Sequence, residues 1–209
     1  MSFFEPPPPP PPPEPGPPMP EWLGPRENVL PASFPLDLVL ARNERVAIFV
    51  HSGRASENGF EFVLALRLRE PRQGRAHDPV MAWHGVGGEI SDDVLRFGVA
   101  FADGRKATVF DRFRPPWPPD EDPAPPEIVL MQRGGGGGGS SWEMRFWVWP
   151  LPPEGALTFV TEWPSERIAV SQADLDSAVV RDAAARAEEL WPDGGPQSGG
   201  GWVGGGRIA

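Results

Sequence analysis

The stretch FEFVLALRLR, residues 60–69, puts Phe60, Phe62, Leu64, Leu66 and Leu68 at every second position, with Glu61, Arg67 and Arg69 between them. Successive side chains of a strand point to opposite faces, so this alternation describes a strand with one buried face and one wet face. Shorter runs of the same kind stand at LDLVLA (36–41), RVAIFVH (45–51), IVLMQ (128–132), WEMRFWVW (142–149) and ALTFVTEW (156–163). The segment VLRFGVAFADGRKATVFD (94–111) adds two more runs joined by Asp103-Gly104, a pair that tolerates positive φ and marks a hairpin. A two-residue loop there places Ala102 opposite Arg105 and Phe97 opposite Phe110. One face then carries Phe97, Val99, Phe101, Thr108 and Phe110, and the other Gly98, Ala100, Ala102 and Ala107. Eight such runs without a helical period between them predict an antiparallel β-sandwich of about eight strands over residues 32–165.

One segment changes period. SQADLDSAVVRDAAARAEELW (171–191) opens with Ser171 and Asp174, a capping-box spacing with the shorter acid, and continues with Leu175, Val179, Ala183, Arg186 or Ala187, and Leu190 at helical spacing. Pro192 and glycines follow, so a helix over about 171–191 is expected to lay its apolar face on the sheet. The expected division is a proline-rich disordered tail at 1–31, a folded body at 32–191 and a glycine-rich disordered tail at 192–209. Residues 6–13 are eight consecutive prolines, which fix φ and donate no amide hydrogen, so the tract reads as polyproline II or disordered chain. Such a tract is either a stiff solvated tail or a ligand for an aromatic-lined groove. Residues 111–127 hold seven prolines and five acidic residues and read as an extended surface loop.

Composition narrows the chemistry. Cysteine is absent, which removes disulfides, thiolate nucleophiles and thiolate metal ligands. The net charge of −10 leaves no basic footprint for nucleic acid. The start, MSFFEPPPPP, lacks a basic segment followed by an apolar run, and no stretch reaches membrane-spanning length without charges. The expectation is therefore a soluble cytoplasmic protein that uses neither nucleic acid nor membrane as a partner.

Six glycines at 134–139 run into Ser140, Ser141 and Trp142. A phosphate cradle needs set glycine spacing, a following lysine and a helix, and none of these is present, so the glycines read as slack joining two strands. In the strand that follows, Trp142, Met144, Phe146 and Val148 share a core face, while Trp147 and Trp149 share the other face with Glu143 and Arg145. Burial of that second face under the C-terminal helix is favoured over display, because large apolar patches rarely stay exposed. If displayed, Trp147, Trp149 and Arg145 are the candidate ligand- or partner-binding residues. His84 with Glu89, Asp92 and Asp93 is the one place where imidazole and carboxylates gather near glycines, and is the candidate metal or acid–base site. Against it stands a solvated loop in which Asp92 or Asp93 makes local turn bonds. Hydrolase elbows, paired zinc ligands and dinucleotide fingerprints are missing, so no catalytic residue and no cofactor are assigned.

The segments EWLGPRENVLP (21–31), FADGRKAT (101–108), RGGGGGGSSWEMRFWVWPLPP (133–153) and AAARAEELWPD (183–193) together resemble a group of actinobacterial hypothetical proteins that begin with a proline tract and have no assigned activity. The resemblance runs over most of residues 21–193. It implies a cytoplasmic bacterial protein and carries over no functional residue. The expected function is a non-enzymatic module that engages another protein through the proline tail or the Trp147/Trp149 face. A sandwich that binds a carbohydrate or small ligand is the alternative, and an enzyme or metal site at the His84 loop is the third reading.

Overall fold

The computed structural model describes residues 20–71, 89–111 and 125–191. The proline tract, His77, His84 and the glycine-rich tail lie outside the described residues. Each expected run is a strand: β2 (Ala32–Arg42), β3 (Val46–Ser56), β4 (Gly59–Leu68), β5 (Arg96–Phe101), β6 (Lys106–Thr108), β7 (Val129–Gly138), β8 (Ser141–Trp149) and β9 (Ala156–Trp163). A further strand, β10 (Ile168–Asp176), follows β9, and the two-residue strands β1 (Val29–Leu30) and β11 (Glu188–Glu189) pair with each other. The fold is mainly β. Its five-stranded sheet runs β2-β3-β4-β8-β7 and its four-stranded sheet β10-β9-β5-β6, with antiparallel pairing throughout.

The period-two pattern of β4 decides where the core sits. Phe60, Phe62, Leu64 and Leu66 are fully buried, and so are Met144, Phe146 and Val148 beside them on β8 to within 1%. From the other sheet, Phe97, Val99, Leu157, Phe159 and Trp163 join the same apolar cluster. Phe62 meets Phe159 edge-on at 5.1 Å and stacks on Phe146 at 5.6 Å, so aromatic rings bridge the two sheets. Helix α1 (Ala178–Ala184) adds Val180, Ala183 and Ala184 to that cluster.

The expected helix over 171–191 is corrected by this arrangement, since residues 171–176 belong to β10 and α1 is only Ala178–Ala184. The cause is visible in SQADLD itself. Ser171, Ala173 and Leu175 are half-buried while Gln172, Asp174 and Asp176 are exposed, which is a period of two written in residues of low strand propensity. Asp174 faces Thr158 across the β9–β10 ladder and accepts its hydroxyl at 2.6 Å, so the acid assigned to a helix cap is a cross-strand partner. The buried stripe is Val180, Ala183 and Ala184, and Leu190 is 43% exposed. At the other end Trp22 and Val29 are buried, so the body begins before residue 32. Ser52-Gly53 is an irregularity inside β3, where pairing with β4 shifts between His51 and Arg54 and Ser52 has φ +58°.

The Asp103-Gly104 hairpin forms one residue out of the expected register. Gly98 faces Thr108 and Val99 faces Ala107, and the Phe101 amide donates to the Arg105 carbonyl at 2.8 Å. The loop is thus Ala102-Asp103-Gly104, with Gly104 at φ +91°. A one-residue slip exchanges faces, so Ala107 joins Val99 in the core and Thr108 sits with Gly98.

The glycine run is also strand. Gly134 to Gly138 pair with Arg145 to Ser141, and β7 joins β8 through the two-residue loop Gly139-Ser140, so the glycines are not slack. A Cβ on Gly135, whose φ is +138°, would stand 2.3 Å from the Glu143 carbonyl oxygen, and one on Gly137 would stand 2.2 Å from that of Ser141. A Cβ on Gly136 meets nothing within 4 Å. Gly135→Ala is therefore expected to destabilise by about 1–3 kcal/mol. Gly136→Ala is expected to stabilise by about 0.5–1 kcal/mol through lost chain entropy. Urea denaturation of the two variants checks the contrast, which equal effects would remove.

Candidate functional site

Alternation along β8 sends Trp147 and Trp149 to the face away from the main core. Trp147 is fully buried there, so it is no part of an exposed binding pair. Its cover is not the C-terminal helix but the single 3-10 turn Glu21–Leu23 that follows Pro20. Trp22 is 5% exposed and packs with Trp147 and Val129 in a second apolar cluster, with Leu23, Met131 and Trp149 at its margin. The Trp147 indole Nε1 donates to the Trp22 carbonyl at 3.1 Å, which satisfies the one polar atom that burial of the ring strands. Asn58, at the β3–β4 turn, donates from Nδ2 to the carbonyls of Glu21 at 2.7 Å and Gly24 at 3.1 Å. Arg133 donates to the Leu23 carbonyl at 2.7 Å. The turn is thus fastened from two strands, β7 and β8, and from the β3–β4 turn.

Trp149 remains half-buried and lines a cavity of about 440 Å³. Pro150 and Leu151 continue its apolar wall, and Glu21, Arg26, Glu57 and Asn58 form the polar one. Arg26 spans the cavity mouth, with Nη1 2.8 Å from a Glu57 carboxylate oxygen and Nη2 hydrogen-bonded to Glu21. The Glu21 hydrogen bond and then the Glu57 charge raise the Arg26 guanidinium above its ordinary pKa, so it stays a fixed positive charge. Two carboxylates against one guanidinium leave that mouth with one net negative charge. All three side chains are about half exposed, so these pairs are weakly stabilising and open to exchange.

The remaining sequence candidates are placed as follows. Arg145 is exposed on β8, in register with Val63 on one side and Gly134 on the other, and does not line the cavity. Glu89, Asp92 and Asp93 are exposed, and His84 lies outside the described residues. Asp92 is 3.2 Å from Arg96, and the Asp93 carbonyl accepts the Trp163 indole at 3.1 Å, so both serve local structure. Among the described residues no three His, Asp or Glu side chains come together as a metal site. A second cavity, of about 220 Å³, lies between Leu68 and Glu166, and its buried Glu166 pairs with Arg45 at 3.2 Å. Among the described residues no helix is long and apolar enough to cross a membrane.

Sequence reasoning missed Glu21, Trp22, Arg26, Glu57 and Asn58. One signal was available: a lone tryptophan in PPMPEWLGP is a large apolar side chain with no strand pattern of its own, and so needs a surface to cover. No family model matches the chain, and neither a curated protein nor a solved structure matches it.

A double-mutant cycle tests the Trp22–Trp147 lock. Trp147→Ala is expected to cost about 3–5 kcal/mol, and Trp22→Ala a smaller loss. Because the two touch, their effects should miss additivity by about 0.5–3 kcal/mol. Additive losses in urea unfolding would show that Trp22 is not the cover.

Proposed function

We propose that the chain is a non-enzymatic interaction module built on a β-sandwich, and that it engages an extended segment of another protein at the Trp149 cavity. The observation that carries this reading is the half-buried Trp149 ring beside an acidic rim, Glu21 and Glu57, that a single arginine bridges. An aromatic wall takes an apolar or proline side chain of an extended peptide, and the rim takes a basic one. A carbohydrate is less well served. The Asn58 Nδ2 donors are committed to the Glu21 and Gly24 carbonyls, so a sugar hydroxyl takes a hydrogen bond from them only by displacing one already made.

The net charge of −10 adds long-range attraction for a basic partner and makes the encounter dependent on salt. The proline tract at residues 6–13 is a second, separable element of the proposal, presented to aromatic grooves of other proteins.

Two substitutions should move affinity in opposite directions. Trp149→Ala removes the wall and is expected to abolish capture of a basic, proline-containing partner. Arg26→Ala frees both carboxylates and is expected to strengthen that capture at low salt, with little loss of stability, since exposed ion pairs are worth about 0–1 kcal/mol. Pull-downs from the source lysate at two salt concentrations, with melting temperatures of each variant, read this out. The same partners recovered by Trp149→Ala and wild type, or weaker capture by Arg26→Ala, would reject the cavity as the binding surface.

A further inference from the structure

Pro20, the first described residue, stands at the rim of the Trp149 cavity. It is half-buried, and Glu21, which follows it, is one of the lining side chains. Its φ of −55° and ψ of 140° are polyproline II backbone. The turn Glu21–Leu23 is held through its carbonyls by Asn58 and Arg133. The point from which the preceding chain departs is therefore fixed, one residue from the cavity. Nineteen residues precede it, and eight of them are the consecutive prolines at 6–13.

The wall made by Trp149, Pro150 and Leu151 is the kind of aromatic, apolar surface on which a polyproline segment docks. Tethering decides which segment reaches it first. A short linker holds its own segment at a roughly millimolar effective concentration. A contact with a Kd of about 1 mM, far too weak to hold a free peptide, then fills the cavity in about half of the molecules.

We propose that the proline tract of residues 6–13 docks against Trp149 of its own chain and closes the cavity until a stronger ligand displaces it. This inference rests on the reading of that cavity as a peptide site. Gly16, the one glycine between the tract and Pro20, supplies the reversal. Four residues, about 12 Å of polyproline II, separate it from Pro20, and four more lead back to Pro12, level with the cavity. The tract carries no charge and engages the wall alone. Glu14 beside it meets the rim of Glu21 and Glu57, whose net charge is negative, and this keeps the contact weak. A basic segment engages wall and rim together and so displaces the tract, and the freed prolines are then presented to other proteins. The tract of a second copy is a poorer occupant, because it lacks the tether and copies with a net charge of −10 repel.

The test uses the ¹⁵N-labelled full chain and reads the Trp149 indole N–H, assigned by its loss in Trp149→Phe. Two full-length variants release the tract differently. Pro8→Ser/Pro9→Gly/Pro10→Ser/Pro11→Gly breaks its conformation, and Gly16→Pro keeps every proline but removes the reversal. In both, the indole resonance should leave its wild-type position, and adding Ac-PPPPPPPP-NH2 should carry it back. The basic probe Ac-RPPRPPR-NH2 should bind both variants with a Kd at least twofold lower than wild type, which offers it only the fraction of molecules whose cavity is open. An indole resonance and a probe Kd that are unchanged in both variants overturn the proposal and leave the cavity as a partner site. A probe that reaches Trp149 in none of the three proteins rejects the partner reading, while a resonance that still follows the tract upholds self-docking. Docking within one chain is also overturned if the wild-type resonance varies with protein concentration, or if Gly16→Pro behaves as wild type while the fourfold variant does not.

Discussion

The ring of Phe62 is the contact on which the two sheets depend. It lies within 6.2 Å of Phe60, Phe97, Phe146 and Phe159, so one side chain on β4 touches its own strand, the neighbouring strand β8, and both β5 and β9 of the facing sheet. Rings at such distances add to the apolar area they remove from water, and their tilted and edge-on geometry fixes how the sheets lie against each other. Helix α1 contributes through the same cluster, with Val180 and Ala183 fully buried. Its seven residues are too few to be stable alone, so the helix exists because the sheets offer it an apolar seat.

A strand that buries one face so completely leaves a problem on its other face. On β8 the alternate positions are Glu143, Arg145, Trp147 and Trp149, and only the first two are at ease in water. Glu143 is hydrogen-bonded to Arg67, which holds its carboxyl below the usual range, and that guanidinium also lies 5.4 Å from the Phe49 ring. Trp147 needs cover, and the segment from Pro20 to Gly24 supplies it. The cavity is a by-product of that repair. Bringing Glu21 and Arg26 over the sheet to shield Trp147 sets them beside Glu57 and Asn58 of the β3–β4 turn, with Trp149 as the uncovered remainder. Packing demand thus produces the polar rim, and the rim gives the cavity its charge.

The strands were legible because an apolar period of two marks them, and the residues that the alternation names on β4 and β8 are buried, with Ala65 and Trp147 buried as well on the opposite face. What was not legible has physical reasons. β10 spells its alternation in Ser, Ala and Asp, whose local preferences mimic a helix start, and only pairing with β9 overrides them. The hairpin at Asp103-Gly104 took three loop residues instead of two, and side-chain period alone cannot choose between loops that differ by one. The cavity was invisible because its walls come from residues far apart in the chain. Glu21 and Trp149 are joined only through the cover over Trp147, a tertiary event that follows from no local pattern. Burial of Trp147 was the favoured outcome in the sequence, but the covering element was misassigned to a C-terminal helix, of which only Ala178–Ala184 is helical.

β7 carries both halves of this logic in ten residues. Its first half is apolar: Val129 faces Trp149 and Met131 faces Trp147, so it belongs to the cluster that the Trp22 turn closes. Its second half has no side chains at all, and there the backbone of β8 comes so near that Gly135 and Gly137 admit no Cβ. The tight two-residue loop at Gly139-Ser140 starts the register and the apolar pairs at the far end finish it, so the bare half is held in place from both sides. A glycine ribbon alone would be too entropically costly to order. Tethered between a fixed turn and a packed cluster, it becomes a length of exposed backbone whose position the rest of the sheet determines.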